Sequence, residues 1–277
     1  MIVATQKTPA QQTDAKKLHL SASQLKTFTM CSLQWLLSRH HKPELVGSGL
    51  RFGGAFHKAL QAFYQGRLEG REVTQEHMLD AYSAAWVDEA KRFPDVPVKF
   101  AEDETQEGLH ELASRMLGAF LSGVQPSQVI AVEEPFEVPL APGLPPLIGF
   151  IDLVEVREDE SSKKVLWLCD HKTAAKRPTE DSLESDQVIL YGLGLARTGV
   201  LKEFQMPLAL RYDVITKTKK PELVSVQVKP SRHDAERLIE KAGRIWKAMS
   251  AEAVWPSAGW WCQGCGHQTL CAKWPKI

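Results

Sequence analysis

The stretch from Gly149 to Thr173, GFIDLVEVREDESSKKVLWLCDHKT, limits the possible folds more than any other part of the chain. Gly149 to Val156 has the β-branched and aromatic content of a strand, Glu158 to Lys164 is a polar turn, and Val165 to Asp170 reads as a second, more buried strand. Side chains two apart on a strand share a face, so Asp170 and Lys172 point the same way, and hairpin pairing brings Asp152 alongside them. Two carboxylates and an ammonium on one patch are costly to assemble unless a divalent cation sits between the acids. Asp152 alone reads as an incidental charge on a sheet edge. The set of three does not.

The rest of the chain frames this hairpin. Ser21 and Gln24 have the spacing of a capping box, and Leu25, Phe28, Cys31 or Ser32, and Trp35-Leu36 follow as one apolar stripe, which predicts a helix from Ser21. Within that stripe Cys31 reads as a small buried hydrophobe. Leu45 to Gly54, LVGSGLRFGG, reads as a glycine-rich loop leading into a helix that carries His57. A lone helical histidine is ordinarily packed or solvated. Two amphipathic helices are predicted over Thr74–Phe93 and Thr105–Gly123, separated by the turn at Pro94–Pro97. The pattern becomes strand-like at Gln128, where alternation lets only one of Glu133 and Glu134 face inward. After the hairpin, a helix from Ser185 places Gln187 and Tyr191 on one face. Strands near Met206–Thr216 and Leu223–Val228 follow, then a helix from Ser231 to about Met249. This is an α/β pattern.

Composition excludes several classes. Lys+Arg and Asp+Glu both total 34, so no global basic signature marks a nucleic-acid binder. Basic clusters are local: Arg39 to Lys42, Lys163-Lys164, Lys176-Arg177 and Lys217 to Lys220. No phosphate-binding G-x-x-x-x-G-K-[ST] motif occurs, and no apolar run approaches membrane-spanning length. The first eighteen residues are polar and lack an apolar signal core, so a soluble cytoplasmic protein is expected, with 1–18 a flexible leader.

Three of the five cysteines, Cys262, Cys265 and Cys271, crowd the tail. In a reducing compartment this argues for metal rather than disulfides. Three thiolates leave a tetrahedral site one ligand short. His267 would complete a zinc site, and the distant Cys31 would complete a four-thiolate set for an iron–sulfur cluster. Cys169, beside Asp170, reads as core.

Asp152 followed by Asp170-His171-Lys172-Thr173 resembles the D…(D/E)xK signature of the PD-(D/E)XK nuclease superfamily in its RecB-like form. SASQLKTFTMC is similar to that family's opening S-x-S-x-L-x-x-[FY]-x-x-C, although Ser32 stands where relatives usually have proline. Gly53 and His57 match its G-x-x-x-H element, and Gln187 and Tyr191 its Q-x-x-x-Y element. Cys31 with the terminal C-x2-C-x5-C resembles the iron–sulfur subset, which includes AddB-type subunits and the CRISPR-associated Cas-four type. The resemblance runs from Ser21 to Cys271 and implies a central mixed sheet flanked by helices. It implies one domain over 19–277, with a helical part (19–125), a nuclease core (126–250) and a cluster-binding tail (251–277).

For the site, the resemblance implies that His57, Asp152, Asp170 and the main-chain carbonyl of His171 hold Mg2+ or Mn2+, with Lys172 catalytic. Gln187 and Tyr191 would contact DNA. An acid of the first sheet strand would lie near the metals, with Glu134 preferred over Glu133. Cys31, Cys262, Cys265 and Cys271 would hold a 4Fe–4S cluster, because Cys31 belongs to the family's motif and zinc would leave it idle. The implied activity is a DNA exonuclease on single strands or ends, in recombination, repair or phage DNA processing, working with a helicase or recombination partner. A CRISPR-adaptation nuclease and a catalytically idle DNA-binding scaffold are the alternatives.

Overall fold

The computed structural model describes residues 18–92, 94–158, 162–179, 183, 185–199 and 203–275. The expected leader therefore lies almost wholly outside the described residues. Five strands form one mixed sheet in sequential order: β3 (Gln128–Val138), β4 (Leu147–Glu158), β5 (Lys164–Ala174), β6 (Leu208–Thr216) and β7 (Leu223–Val228). All neighbours pair antiparallel except β5 and β6, which are parallel. That parallel step needs a crossover, supplied by α6 (Asp186–Thr198). The expected hairpin is β4–β5, with Leu153 opposite Cys169 and Val156 opposite Leu166.

Helices cover both faces. On one side α3 (Ser48–Leu68), α4 (Gln75–Arg92) and α5 (Gln106–Gly123) bury Phe52, Phe56, Tyr64 and Phe120 against Leu153, Cys169 and Ile215. On the other, α1 (Ala22–Met30), α6 and α7 (Arg232–Ser250) pack onto Val154, Leu166, Leu168, Leu210 and Val214. Burying a large apolar side chain stabilises by roughly 1.5–3 kcal/mol, so these two cores fix the sheet. A two-residue parallel pair, β1 (Val46–Gly47) with β2 (Val98–Lys99), joins the loop before α3 to the loop after α4.

Three local expectations need correction. The stripe from Ser21 is two helices, because Cys31 is extended (φ −156°, ψ 103°) between α1 and α2 (Ser32–His40). The break comes from a tertiary tie: Leu33 N–H and Ser32 Oγ both donate to Trp255 O, each at 3.1 Å. The capping box is half formed, since Ser21 Oγ accepts from Gln24 N while the Gln24 amide turns to His19. The glycine-rich stretch is helical from Ser48 onward, so His57 lies well inside α3.

The tail folds as a 3-10 turn (Trp260–Gly264) and a short helix α8 (Gln268–Cys271). It docks back on the start of the chain: Glu44 N–H donates to Gly266 O at 2.6 Å, and Thr269 Oγ1 to Glu44 Oε2 at 2.8 Å. Its own core is small, with Leu33 and Leu37 packed against Val254 and Leu270. Among the described residues no helix is long and apolar enough to cross a membrane.

Candidate active site

The β4–β5 ladder runs to Leu153 opposite Cys169 and then opens. On its other side β4 pairs Leu153 with Val132 and Ile151 with Glu134, so Asp152 and Glu133 face each other out of register contact. Here the strands also change face. Leu147, Ile151, Val154 and Val156 all enter one core while Leu153 enters the other, which simple alternation forbids. Glu133 supplies the irregularity, with φ at +52°, a left-handed conformation that costs a non-glycine residue about 1 kcal/mol or more. The opening frees the Asp152 carboxylate, and the next free amide, His171 N–H, donates to its Oδ2 at 2.8 Å.

Two clasps meet at this opening. On the α3 side, His57 Nδ1 lies 3.3 Å and His171 Nδ1 3.6 Å from Asp152 Oδ2. Burial pushes the Asp152 carboxyl up, but hydrogen bonding and charge from the two histidines outweigh it and hold the group well below the usual carboxylate range. Burial alone would push the His57 imidazole down; Asp152 reverses the sign and raises it. On the α6 side, Lys172 Nζ lies 2.6 Å from Asp170 Oδ2 and donates to Gln187 Oε1 at 2.9 Å. The Gln187 amide donates to Asp170 Oδ1 at 2.9 Å and to Tyr191 Oη at 3.1 Å. Burial first, and then the charge of Asp152, push the Asp170 carboxyl up against the pull of Lys172.

Tyr191 is itself propped. Phe136 meets its ring edge-on at 5.7 Å, and Phe136 fits because Gly149 and Gly194 lack side chains. A Cβ at Gly149 would lie 2.7 Å from the Phe136 ring, and one at Gly194 2.5 Å.

Of the two adjacent acids, Glu133 rather than Glu134 reaches the site, a correction to the sequence expectation. Burial and then the charge of Asp152 raise the Glu133 carboxyl, while Lys58, His57 and His171 pull it down. Alternation alone could not show this, because the left-handed residue reverses the phase.

Beneath His171 lies a buried network that the sequence reading passed over as chemically silent. Arg211 donates from Nε to Asp213 Oδ1 (3.0 Å) and from Nη2 to Asp213 Oδ2 (2.9 Å) and Glu155 Oε1 (2.5 Å). Cys169 Sγ donates to Asp213 Oδ2 at 3.1 Å, and Ser225 Oγ to Asp213 Oδ1 at 2.5 Å. The signal was present in LALRYDVIT, where charges two apart inside an otherwise apolar strand must be paired to be buried. Among the described residues, Cys169, His171 and Asp213 are the sole three His, Cys, Asp or Glu residues whose donors lie within 4.8 Å of one another. A cation has no place there, because Arg211 already occupies both oxygens of Asp213. His57, Asp152 and Asp170 are spread wider than that, divided between their clasps.

Cys31, Cys262, Cys265 and Cys271 line one cavity of about 310 Å3 at the opposite end of the chain's path, and all four are free thiols. Two backbone amides aim at one of the sulfurs: Gln34 N and Ser257 N lie 3.4 and 3.5 Å from Cys31 Sγ. Burial and then the neighbouring thiols push the Cys265 and Cys271 thiols up. His267 Nε2 is 3.1 Å from Ser38 Oγ. Cys169 lies in the α3-side core, as read.

A model of the PD-(D/E)XK nuclease superfamily matches residues 19–272. No curated protein matches the chain. Among solved structures the chain is similar to a protein from Eubacterium rectale provisionally described as an exonuclease, with 15% identity, 95% of this chain and 94% of that one covered, and a TM-score of 0.43. It is similar also to SSO0001, with 14% identity, coverage of 90% and 94%, and a TM-score of 0.33. Neither likeness is close enough to bear on the chemistry.

Proposed function

We propose a specific activity for this chain from one premise: it belongs to the PD-(D/E)XK nuclease superfamily. The reading is a metal-dependent deoxyribonuclease, an exonuclease that hydrolyses phosphodiesters at single strands or DNA ends. One observation carries it: where the β4–β5 ladder opens, Asp152 and Asp170 converge with a lysine already held against the second acid.

The donor set suits Mg2+ or Mn2+. Two carboxylates and a carbonyl are hard oxygen ligands, and the His57 imidazole inclines the site toward manganese. Asp170, raised by burial and by the charge of Asp152, is in a state that a divalent cation would relieve. His57, Asp152, Asp170 and the His171 carbonyl would hold such an ion, which when bound would polarise the scissile phosphate and lower the pKa of a bound water. The chain's own residues do the rest. Lys172, anchored by Asp170 and Gln187, presents its ammonium to the charge that builds on the phosphorus oxygens. Gln187 holds both partners in register, and Tyr191 holds Gln187. The two helix residues would also steady the DNA strand. Glu133 stands where it can tune Asp152 and His57.

The same reading gives the four cysteines a 4Fe–4S cluster. Four free thiols around one cavity, with two backbone amides turned to Cys31 Sγ, support it. Cys31 and His267 both line that cavity with the three tail cysteines, and a zinc site built on His267 would leave Cys31 idle.

The test is digestion of end-labelled single- and double-stranded DNA with Mg2+ or Mn2+. Shortening of the label by the wild type, absent with EDTA and absent in Asp170→Ala, is the expected result. Full activity in Asp170→Ala would overturn the assignment.

A further inference from the structure

The cavity beside Lys172 does not end at the catalytic residues. It holds about 410 Å3 and is lined by Lys172 and Gln187, by Lys26 and Thr29 of α1, and by Lys241 and Ile245 of α7. Thr29, Lys241 and Ile245 also line a second groove of about 650 Å3 between α1 and α7, so the two are continuous. Arg237 and Arg244 line that groove, and Trp255 stands at its cysteine-lobe end.

Charge along this path is uneven. Five cations, Lys26, Lys172, Arg237, Lys241 and Arg244, stand against three carboxylates. Three of these cations are themselves paired, Lys241 with Asp186, Arg244 with Glu240 and Lys172 with Asp170, while Glu236 pairs with Arg232 outside the groove lining. Positions 237, 241 and 244 recur at about one helical turn, so α7 presents its cations in a single file.

Trp255 adds an aromatic face. The residue is 53% exposed, large for a tryptophan in a folded chain. Its backbone is fixed at three points: Trp255 N–H donates to Ser32 Oγ at 2.9 Å, and its carbonyl accepts from Ser32 Oγ and Leu33 N–H at 3.1 Å each. A bare ring on a rigid mount is a stacking platform. Bases offer their faces only when unpaired, and stacking one on an aromatic ring stabilises by roughly 1–3 kcal/mol.

We propose that this groove binds a single strand of the DNA being digested, with its phosphates along Lys26, Arg237, Lys241 and Arg244 and a base stacked on Trp255. The inference rests on the nuclease reading and names the form of substrate that it takes. Trp255 O lies 4.0 Å from Cys31 Sγ, so the cysteine lobe is the far bank of the groove that begins at Lys172.

Binding of fluorescently labelled single-stranded DNA, measured without divalent metal, tests the groove whether or not the protein cuts. Trp255→Ala is expected to weaken it about 5- to 100-fold, while Trp255→Phe stays near wild type. Arg237→Glu, on an exposed helix face, is expected to weaken binding and to lower its salt dependence by about one charge. Duplex binding should be unmoved by Trp255→Ala. Equal single-strand affinity in wild type and Trp255→Ala, equal loss for single strand and duplex, or no effect of Arg237→Glu would overturn the proposal. Cleavage of labelled DNA by the wild type decides the nuclease reading separately: a protein that binds single strands through Trp255 without cutting would refute the nuclease, not the groove.

Discussion

The proposed catalytic opening and the cysteine lobe are both built from polar or reactive side chains, and they are supported in opposite ways. At the opening, the clasp residues come from elements rooted in one of two large cores, and each of Asp152, Asp170, Lys172 and Gln187 already has a protein partner. In the lobe the elements are a five-residue turn and a four-residue helix, the local core is a few leucines and a valine, and the thiols face one another. The first site is held in place by the fold. The second is placed to hold the fold, because Cys31 and the tail cysteines lie at opposite ends of the chain and any group that joins them closes a very long loop. Loss of one site should therefore cost function alone, and loss of the other should cost stability.

The largest effect expected is on activity. Asp170→Ala should lower DNA cleavage by roughly a thousandfold or more, since it removes a proposed metal ligand and the anchor of Lys172 together. Its melting temperature should stay within a few degrees of wild type, because burial and the charge of Asp152 already disfavour the carboxylate. Cleavage assays beside thermal melts check both. An inactive variant that is also unfolded would break the contrast.

Cys31→Ser should do the reverse. Protein prepared without oxygen is expected to be brown and to carry about four iron and four sulfide. The variant should lose the colour and on the order of 5 kcal/mol of stability, the size expected for opening a loop of this length. Cys169→Ala and His267→Ala should keep the cluster. Stoichiometric zinc without acid-labile sulfide, lost in His267→Ala and retained in Cys31→Ser, would replace the cluster with a zinc site and leave the nuclease standing.

His57→Ala is smaller and sits between the two. It removes an imidazole from the α3 clasp, where its side chain is partly exposed, so packing should suffer little. The affinity for the divalent ion should fall about 10- to 100-fold, with partial rescue by excess Mn2+. A titration of activity against metal concentration reads this. A large drop in melting temperature with an unchanged metal dependence would make His57 a packing residue.

These contrasts also show which parts of the molecule were legible in the sequence. The β4–β5 hairpin was, because strand content, a polar turn and face alternation are short-range signals that the two cores then reinforce. The helices over residues 75–92 and 106–123 were legible for the same reason. The break at Cys31 was not: the apolar period continues through it, and the cause is Trp255, more than two hundred residues away. Nor was the helical start at Ser48, where glycines spaced like a loop are carried by the packing of Phe52 and Phe56. The Arg211 network was half legible, since its charges stood in an apolar strand but their partner Glu155 lay on another.

Glu133 is the sharpest instance and gives the smallest expected effect. The sequence reading preferred Glu134, and the left-handed backbone at Glu133 turns that residue's own carboxylate toward the site instead. Glu133 sits opposite Asp152, feels the charges of His57 and His171, and is raised by burial, so neutralising it changes the field on the metal ligands without removing one. Glu133→Gln should therefore alter cleavage or the metal requirement several-fold, about 1 kcal/mol of interaction at an effective dielectric typical of protein sites. Glu134→Gln should leave both unchanged. Parallel metal titrations of the two variants decide between them. A stronger effect from Glu134→Gln would restore simple alternation as the better guide, and would mean that the change of face at Asp152 does not govern which acid the site uses.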